Sequence, residues 1–337
     1  GRIRRGYGTL KAYADLHRRL GLHRGMDPEG RDCWCMVEYM PQALRVWLVT
    51  NRTNFERLPE YELTDVGGGL WRIYLPKDAL FHGDYYELHV EGTGESGVVR
   101  RVPAFARWVE QNRDNPDMWC ARVWAPSSPY LFRYDRPVRP KFPRIYEAHI
   151  GMSQDARRHT PGSVGSYDDF IRDMLPRIKA DGYTAVQLMG VPEHPLYKSF
   201  GYQVSSYFAP SSRYGEPDGF RRLVDEAHHL GLSVILDITH AHACANTEQG
   251  LARYDTGSYF FDERSNQWGT PSFDFSRDMT RRFLLSNCRY WTEEFRVDGF
   301  RFDAVGNMLY TDHGIGDSFE HVGRCFYGPD GKRRTNA

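Results

Sequence analysis

The sequence predicts a multidomain chain, an N-terminal β-sandwich followed by the first half of a (β/α)8 TIM barrel with four β–α units visible. Three observations predict it. At 337 residues the chain exceeds what one hydrophobic core comfortably holds. Up to residue 136, short aromatic and β-branched segments recur between Gly, Asn, Asp and Pro clusters. After a proline-rich run the pattern changes to strand–helix alternation.

Residues 1–30 read as a short helical arm, with Leu10, Tyr13, Leu16 and Leu20 at helical spacing and Gly21 and Gly25 closing it. Its basic start, Gly1-Arg2-Ile3-Arg4-Arg5, reads as a solvated end. Over 31–136 the expected strands are Cys33–Tyr39, Leu44–Thr50, Leu70–Leu75, Asp84–Val90, Val98–Phe105 and Cys120–Trp124. Pro137, Pro140 and Pro143 make 137–143 a stiff connector and the best domain boundary. From 144 to 337 four β–α pairs follow, implying a parallel sheet. The strands are Arg144–Ile150, Ala185–Val191, Ser233–Thr239 and Val297–Ala304. The first helix has Ser166 as N-cap, Asp169 three residues on, Phe170, Met174 and Ile178 on one face, and Gly182 as its end. Pro176 should kink or shorten it. The second helix spans Asp218–Leu230 and stops at Gly231. The third covers 276–295, with Leu284, Cys288, Trp291 and Phe295 in one stripe.

Forty-four basic residues balance 44 acidic ones, which excludes the basic excess of a nucleic-acid footprint. No apolar run reaches the roughly 18 residues that cross a bilayer, and no export signal is visible, so a cytoplasmic setting is expected. Six scattered cysteines lack a disulfide framework's density and a zinc spacing, and reduced thiols are the default. Aromatic content is 14%, which in a neutral chain suits a large core or a neutral ring-bearing ligand such as a sugar.

In a (β/α) barrel the reacting residues gather at the C-terminal strand ends. The third strand ends Asp237-Ile238-Thr239-His240-Ala241-His242, a pocket-lining arrangement whose bland alternative is a loop cap. His240 and His242 could be read as a metal pair, but no third ligand clusters nearby and no metal or other cofactor is expected. The fourth strand reads Val297-Asp298-Gly299-Phe300-Arg301-Phe302-Asp303-Ala304. Side chains alternate, so Arg301 and Asp303 share one face, and Phe300, Phe302 and Ala304 the other. A guanidinium two residues from a carboxylate lowers its proton affinity and fixes its orientation, as an anionic nucleophile requires. The alternative is a structural ion pair. Tyr202, in Phe200-Gly201-Tyr202-Gln203-Val204 after the second strand, could stack on a sugar or simply pack.

The chain resembles the α-amylase superfamily, in particular the glycogen and starch branching enzymes. The likeness rests on Arg144-Ile145-Tyr146-Glu147-Ala148-His149-Ile150-Gly151-Met152-Ser153, on Phe200 to Val204, on Phe208-Ala209-Pro210-Ser211-Ser212-Arg213-Tyr214-Gly215, on Asp237 to Ala243 and on Asp298 to Asp303. Met308-Leu309-Tyr310 and His313-Gly314 add to it. The resemblance implies an N-terminal sandwich of the Ig-like carbohydrate-binding type, although Tyr39-Met40-Pro41 stands where a Trp-Ala-Pro-like turn is usual. It implies Asp303 as catalytic nucleophile, Arg301 as its orienting partner, and Asp237, His242 and Tyr202 as lining of the subsite for the sugar whose bond breaks. It further implies an α-1,4-glucan such as glycogen, amylose or starch as partner, with no nucleic acid and no membrane. The expected activity is retaining cleavage of an α-1,4 glucan and transfer of the piece to a 6-hydroxyl. Alternatives are a hydrolase or debranching enzyme of the same superfamily, and a non-catalytic glucan-binding protein. The family's acid/base Glu belongs at the end of the next strand. No residue after Asp303 matches it, Glu320 being a poor fit, so the chain is expected to be a fragment and inactive alone.

Overall fold

Asp27-Pro28-Glu29-Gly30 closes the first hairpin of the computed structural model. Residues 6–94, 96–111, 118–153, 163–246, 248, 250–266, 268–314, 326–328, 332 and 335 are described. The basic start, Glu320 and Cys325 lie outside them. The Asp27 carboxylate accepts from the backbone N–H groups of Glu29 (3.0 Å) and Arg31 (2.9 Å), and Gly30 turns left-handed at φ +79°. The turn pairs β1 (Gly21–Met26) with β2 (Asp32–Tyr39) antiparallel.

Among the described residues the arm expected over 1–30 is helical at 6–7, at α1 (Leu10–Tyr13) and in a 3-10 turn (Leu16–Arg18) before the chain enters β1. Gly21 opens a strand instead. Its φ is +90°, and a Cβ there would meet the Phe105 Cβ at 2.8 Å, so only glycine fits.

Two antiparallel sheets follow. One orders β1, β2, β5 (Leu70–Pro76) and β4 (Thr64–Gly67). The other orders β3 (Ala43–Thr50), β6 (Tyr85–Gly92), β9 (Trp119–Arg122) and β8 (Val109–Gln111), with β7 (Val98–Arg101) also on β6. Trp34, Met36, Ile73 and Leu75 of the first sheet share a buried apolar cluster with Val46, Leu48, Leu88 and Val90 of the second. The segment expected as a strand over Val98–Phe105 stops at Arg101, because Pro103 has no N–H to donate.

The chain from 123 to 143 forms no strand. It is pinned by the fully buried Asp225 carboxylate, which accepts from the Arg133 and Tyr134 backbone N–H groups and from the Tyr130 hydroxyl (2.9 Å).

Four parallel strands then lie side by side in chain order: β10 (Ile145–His149), β11 (Ala185–Met189), β14 (Ser233–Ile238) and β17 (Gly299–Phe302). Two short antiparallel pairs decorate their ends. One is β12 (Pro192–Glu193) with β13 (Ser206–Pro210), the other β15 (Phe261–Ser265) with β16 (Pro271–Phe273).

The first crossover is three pieces rather than one helix: α2 (Tyr167–Asp169), a π turn (Phe170–Met174) and α3 (Leu175–Ala180). Pro176 explains the interruption. Its ring and missing N–H forbid the ordinary bond to Arg172, and the wider π turn accommodates the loss without ending the helix. Ser166 does cap it, with Oγ accepting from Asp169 N (3.0 Å) while the Asp169 carboxylate accepts from Ser166 N (3.0 Å). Ser166→Ala is expected to lower unfolding stability by about 1 kcal/mol, read as a drop in the urea midpoint.

The remaining crossovers are α4 (Pro217–His229) and α5 (Asp278–Glu294). In α4, Phe220, Leu223, Val224 and Ala227 are buried, and Gly231 (φ +70°) ends the turn after it. In α5, Phe283, Leu284 and Trp291 point inward, joined by Phe295 just past its end. Asp298 staples this end of the parallel sheet, accepting from Val234 N (2.8 Å) and lying 2.8 Å from His228 Nε2.

The antiparallel and parallel parts meet over a mainly aromatic seam. Phe105 packs on Phe208 (centroids 4.8 Å) and Phe283 (5.4 Å), and the Tyr254 hydroxyl donates to Glu38 Oε2 (2.9 Å). The arm returns to α5, where the Tyr13 hydroxyl donates to Asp278 Oδ1 (2.8 Å) and Leu16 N to Ser286 Oγ (3.0 Å). Among the described residues no helix is long and apolar enough to cross a membrane, and the five described cysteines are free.

Candidate active site

Strand alternation puts Arg301 and Asp303 on one face of β17, and Asp237, paired in register with Arg301 on β14, beside them. The Arg301 guanidinium donates to Asp303 Oδ1 at 2.8 Å and to both Asp237 oxygens at 3.1 and 3.3 Å. Tyr202 closes the group from the loop after β11, its hydroxyl donating to Asp237 Oδ2 at 3.1 Å. Phe300 and Phe302 lie on the other face, with Phe302 edge-on to the buried His240 ring (5.6 Å).

The two carboxylates differ in setting. Asp237 is 4% exposed; burial raises its proton affinity, and the Arg301 and Tyr202 bonds oppose that rise. Asp303 keeps a quarter of its side chain in solvent. It can therefore meet a ligand while Arg301 holds its orientation. Burial, with the Asp237 charge behind it, also pushes the Tyr202 hydroxyl well above its ordinary range, so it stays a proton donor. The chain leaves the strand sharply, since Asp303 is followed by Ala304 in the left-handed region (φ +50°) before α6 (Val305–Leu309). Asp303 thus sits on a bend, ahead of the helix.

His242 enters from the segment after β14. Burial lowers its proton affinity, and the negative Asp303 acts the other way. Its Nδ1 lies 3.1 Å from Thr270 Oγ1. The metal-pair reading of the two histidines has no support in this geometry. His240 Nε2 lies 2.9 Å from Asn287 Oδ1, against a different element from Thr270. Among the described residues no cluster of three His, Cys, Asp or Glu could hold a metal.

Four of the five candidate residues, Tyr202, Asp237, Arg301 and Asp303, form one hydrogen-bonded network, and His242 is coupled to it through charge. Sequence reasoning missed Gln187, whose Nε2 lies 3.4 Å from Asp237 Oδ2. The signal was present: Gln187 is the single polar residue of Ala185-Val186-Gln187-Leu188-Met189.

A family model described as "Alpha amylase, catalytic domain" matches residues 158–257. A 1,4-alpha-glucan-branching enzyme of Aspergillus oryzae is 40% identical over 324 residues, 93% of this chain and 45% of the relative. One of Equus caballus is 38% identical over 329 residues, 94% of this chain and 45% of the relative. The chain is thus similar to proteins of the α-amylase superfamily. It spans about half the length of the curated relatives it matches.

Solved structures agree on the α-amylase-type fold. A putative alpha amylase from Salmonella typhimurium superposes with TM-score 0.67 at 23% identity, over 86% of this chain and 44% of that one. The catalytic module of a glycogen-degrading pneumococcal virulence factor gives 0.69 at 21% identity, over 85% and 46%.

A second buried carboxylate lies in the connection that carries Tyr202 without joining the network. Glu193 is fully buried, and its oxygens accept from Ser211 Oγ (2.9 Å), Ser212 N (2.6 Å), Ser212 Oγ (2.9 Å) and Arg213 Nη1 (3.2 Å). Every lone pair is engaged by the protein, so Glu193 fixes the loop rather than a ligand.

Proposed function

We propose that the chain forms part of a 1,4-α-glucan branching enzyme, working by retaining double displacement. The observation that carries the reading is the Arg301-clamped Asp303 beside Asp237 and Tyr202 at the C-terminal ends of parallel strands, in a chain whose curated relatives bear that name. In this reading the Asp303 carboxylate attacks the anomeric carbon of an α-1,4 glucan as the C1–O4 bond breaks, and an acid protonates the departing O4. The resulting glucosyl ester on Asp303 is then displaced by a 6-hydroxyl of another chain, whose proton returns to the base formed from that acid. Asp303 ends as it began. Asp237, His242 and Tyr202 hold the hydroxyls of the sugar whose bond breaks.

Both Asp237 oxygens are taken by Arg301 and one also by Tyr202, and no further carboxylate joins the hydrogen-bonded network among the described residues. The proton donor is assigned to a group outside this network. The four parallel strands read as the first half of a (β/α)8 barrel, and the paired antiparallel sheets as a sandwich of the carbohydrate-binding type. The corresponding division is an arm over 1–30, a sandwich over 31–136, a linker over 137–143 and the half-barrel over 144–337, in a cytosolic protein.

The test is amylose incubated with the complete enzyme of which this chain forms part. Loss of iodine colour with no matching rise in reducing ends is the expected result. An equal rise marks a hydrolase and overturns transfer. Binding of amylose with neither signal changed marks a non-catalytic glucan-binding protein.

A further inference from the structure

Trp268 is half exposed at the tip of the β15–β16 hairpin, in a chain where most tryptophans are buried. Its indole lies on the buried His242 ring, centroids 5.3 Å apart and planes 31° from parallel. The hairpin is tied to the His242 segment by backbone bonds from Phe273 N to Ala241 O (3.1 Å) and from Ala243 N to Pro271 O (3.1 Å). The tip is tied internally by the buried Asn266. Its Oδ1 accepts from Trp268 N (3.0 Å) and Thr270 N (3.1 Å), and its Nδ2 donates to Thr270 Oγ1 (2.8 Å). Thr270 Oγ1 in turn meets His242 Nδ1. Asn266, Trp268, Thr270 and His242 are thereby linked in one chain of hydrogen bonds.

An exposed tryptophan costs the fold solvation and contributes little to the core. Holding its backbone through a buried amide, one ring away from a histidine coupled to Asp303, goes beyond what solubility or packing asks for. A flat apolar face beside a polar hydrogen-bonding network is also what a pyranose needs, because its axial C–H groups make one face apolar while its hydroxyls point sideways. Resting on the glucan reading above, we infer that Trp268 is a stacking platform for a glucosyl unit of the bound α-glucan, next to the one held by Asp237 and His242. His242 then has two tasks: it lines the sugar site with its edge and supports the platform with its face.

The test is calorimetric titration of maltoheptaose into the full chain, its Trp268→Ala and Trp268→Phe variants, and an Asp237→Ala control, with near-UV circular dichroism to check the fold. Trp268→Ala is expected to weaken binding about five- to tenfold with an unchanged spectrum, and Trp268→Phe to recover most of the loss. Unchanged binding in Trp268→Ala, while Asp237→Ala weakens it, overturns the platform and leaves the glucan reading intact. Absence of maltoheptaose binding by the unaltered chain overturns the glucan reading, and the platform with it.

Discussion

Asp303→Asn in the complete enzyme is expected to lower turnover on amylose by at least about three orders of magnitude, with maltooligosaccharide affinity within about twofold of the unaltered protein. An amide has the shape of the carboxylate but no anionic oxygen to form the glucosyl ester. The fold should survive the change. Asp303 is partly exposed, and Arg301 keeps Asp237 as its partner, so no buried cation is left uncompensated. A purely structural Asp303 predicts the reverse, a lowered unfolding midpoint with activity per folded molecule preserved. Measuring kcat alongside the urea midpoint separates the two, and near-normal turnover removes Asp303 from the nucleophile role.

A second large effect belongs to the seam between the sheets. Glu38 lies on β2 in the inward register of Trp34 and Met36 and is fully buried. Burial raises its pKa to about 8, against the smaller pull of the Tyr254 hydroxyl and the Phe105 backbone N–H. In the unfolded chain the same group ionises near 4.5. Between these values the folded state binds a proton that the unfolded state has released, so stability falls as pH rises. The contribution is fully present below about pH 4.5 and is lost by about pH 8. Glu38→Gln has no such proton. Whatever constant offset the amide introduces, the difference between variant and unaltered protein should grow in favour of glutamine by roughly 3–5 kcal/mol from pH 4.5 to pH 8. Urea midpoints at both pH values measure it. A difference that does not change with pH would falsify the assignment.

Much of the site was legible because strand alternation is a rigid rule. The face shared by Arg301 and Asp303 follows from counting by two, and the end of an apolar strand marks Asp237. Gln187 went unread because one polar residue within an apolar strand does not announce a partner fifty positions away. Trp268 was silent for another reason: its position depends on a hairpin whose strands are short and irregular. In the fold, β2, β3, β5 and β6 were readable from composition. β1 was not, because leucines at helical spacing run directly into it, and the Asp-Pro-Glu-Gly turn that fixes it as a strand was outweighed. β4 and β8 are three or four residues long and leave almost no periodic signal. The π turn was foreshadowed by Pro176 alone; its width is a tertiary compromise that keeps Phe170, Met174 and Ile178 on the core.

The docking of the arm on α5 has a consequence for biosynthesis. Tyr13 and its partner Asp278 are 265 positions apart. At ribosomal speeds of about 5–20 residues per second, the first helix emerges and then waits on the order of half a minute for the surface that covers it. Leu16 stays without its partner on α5 throughout the interval, a window in which a nascent-chain chaperone would find it.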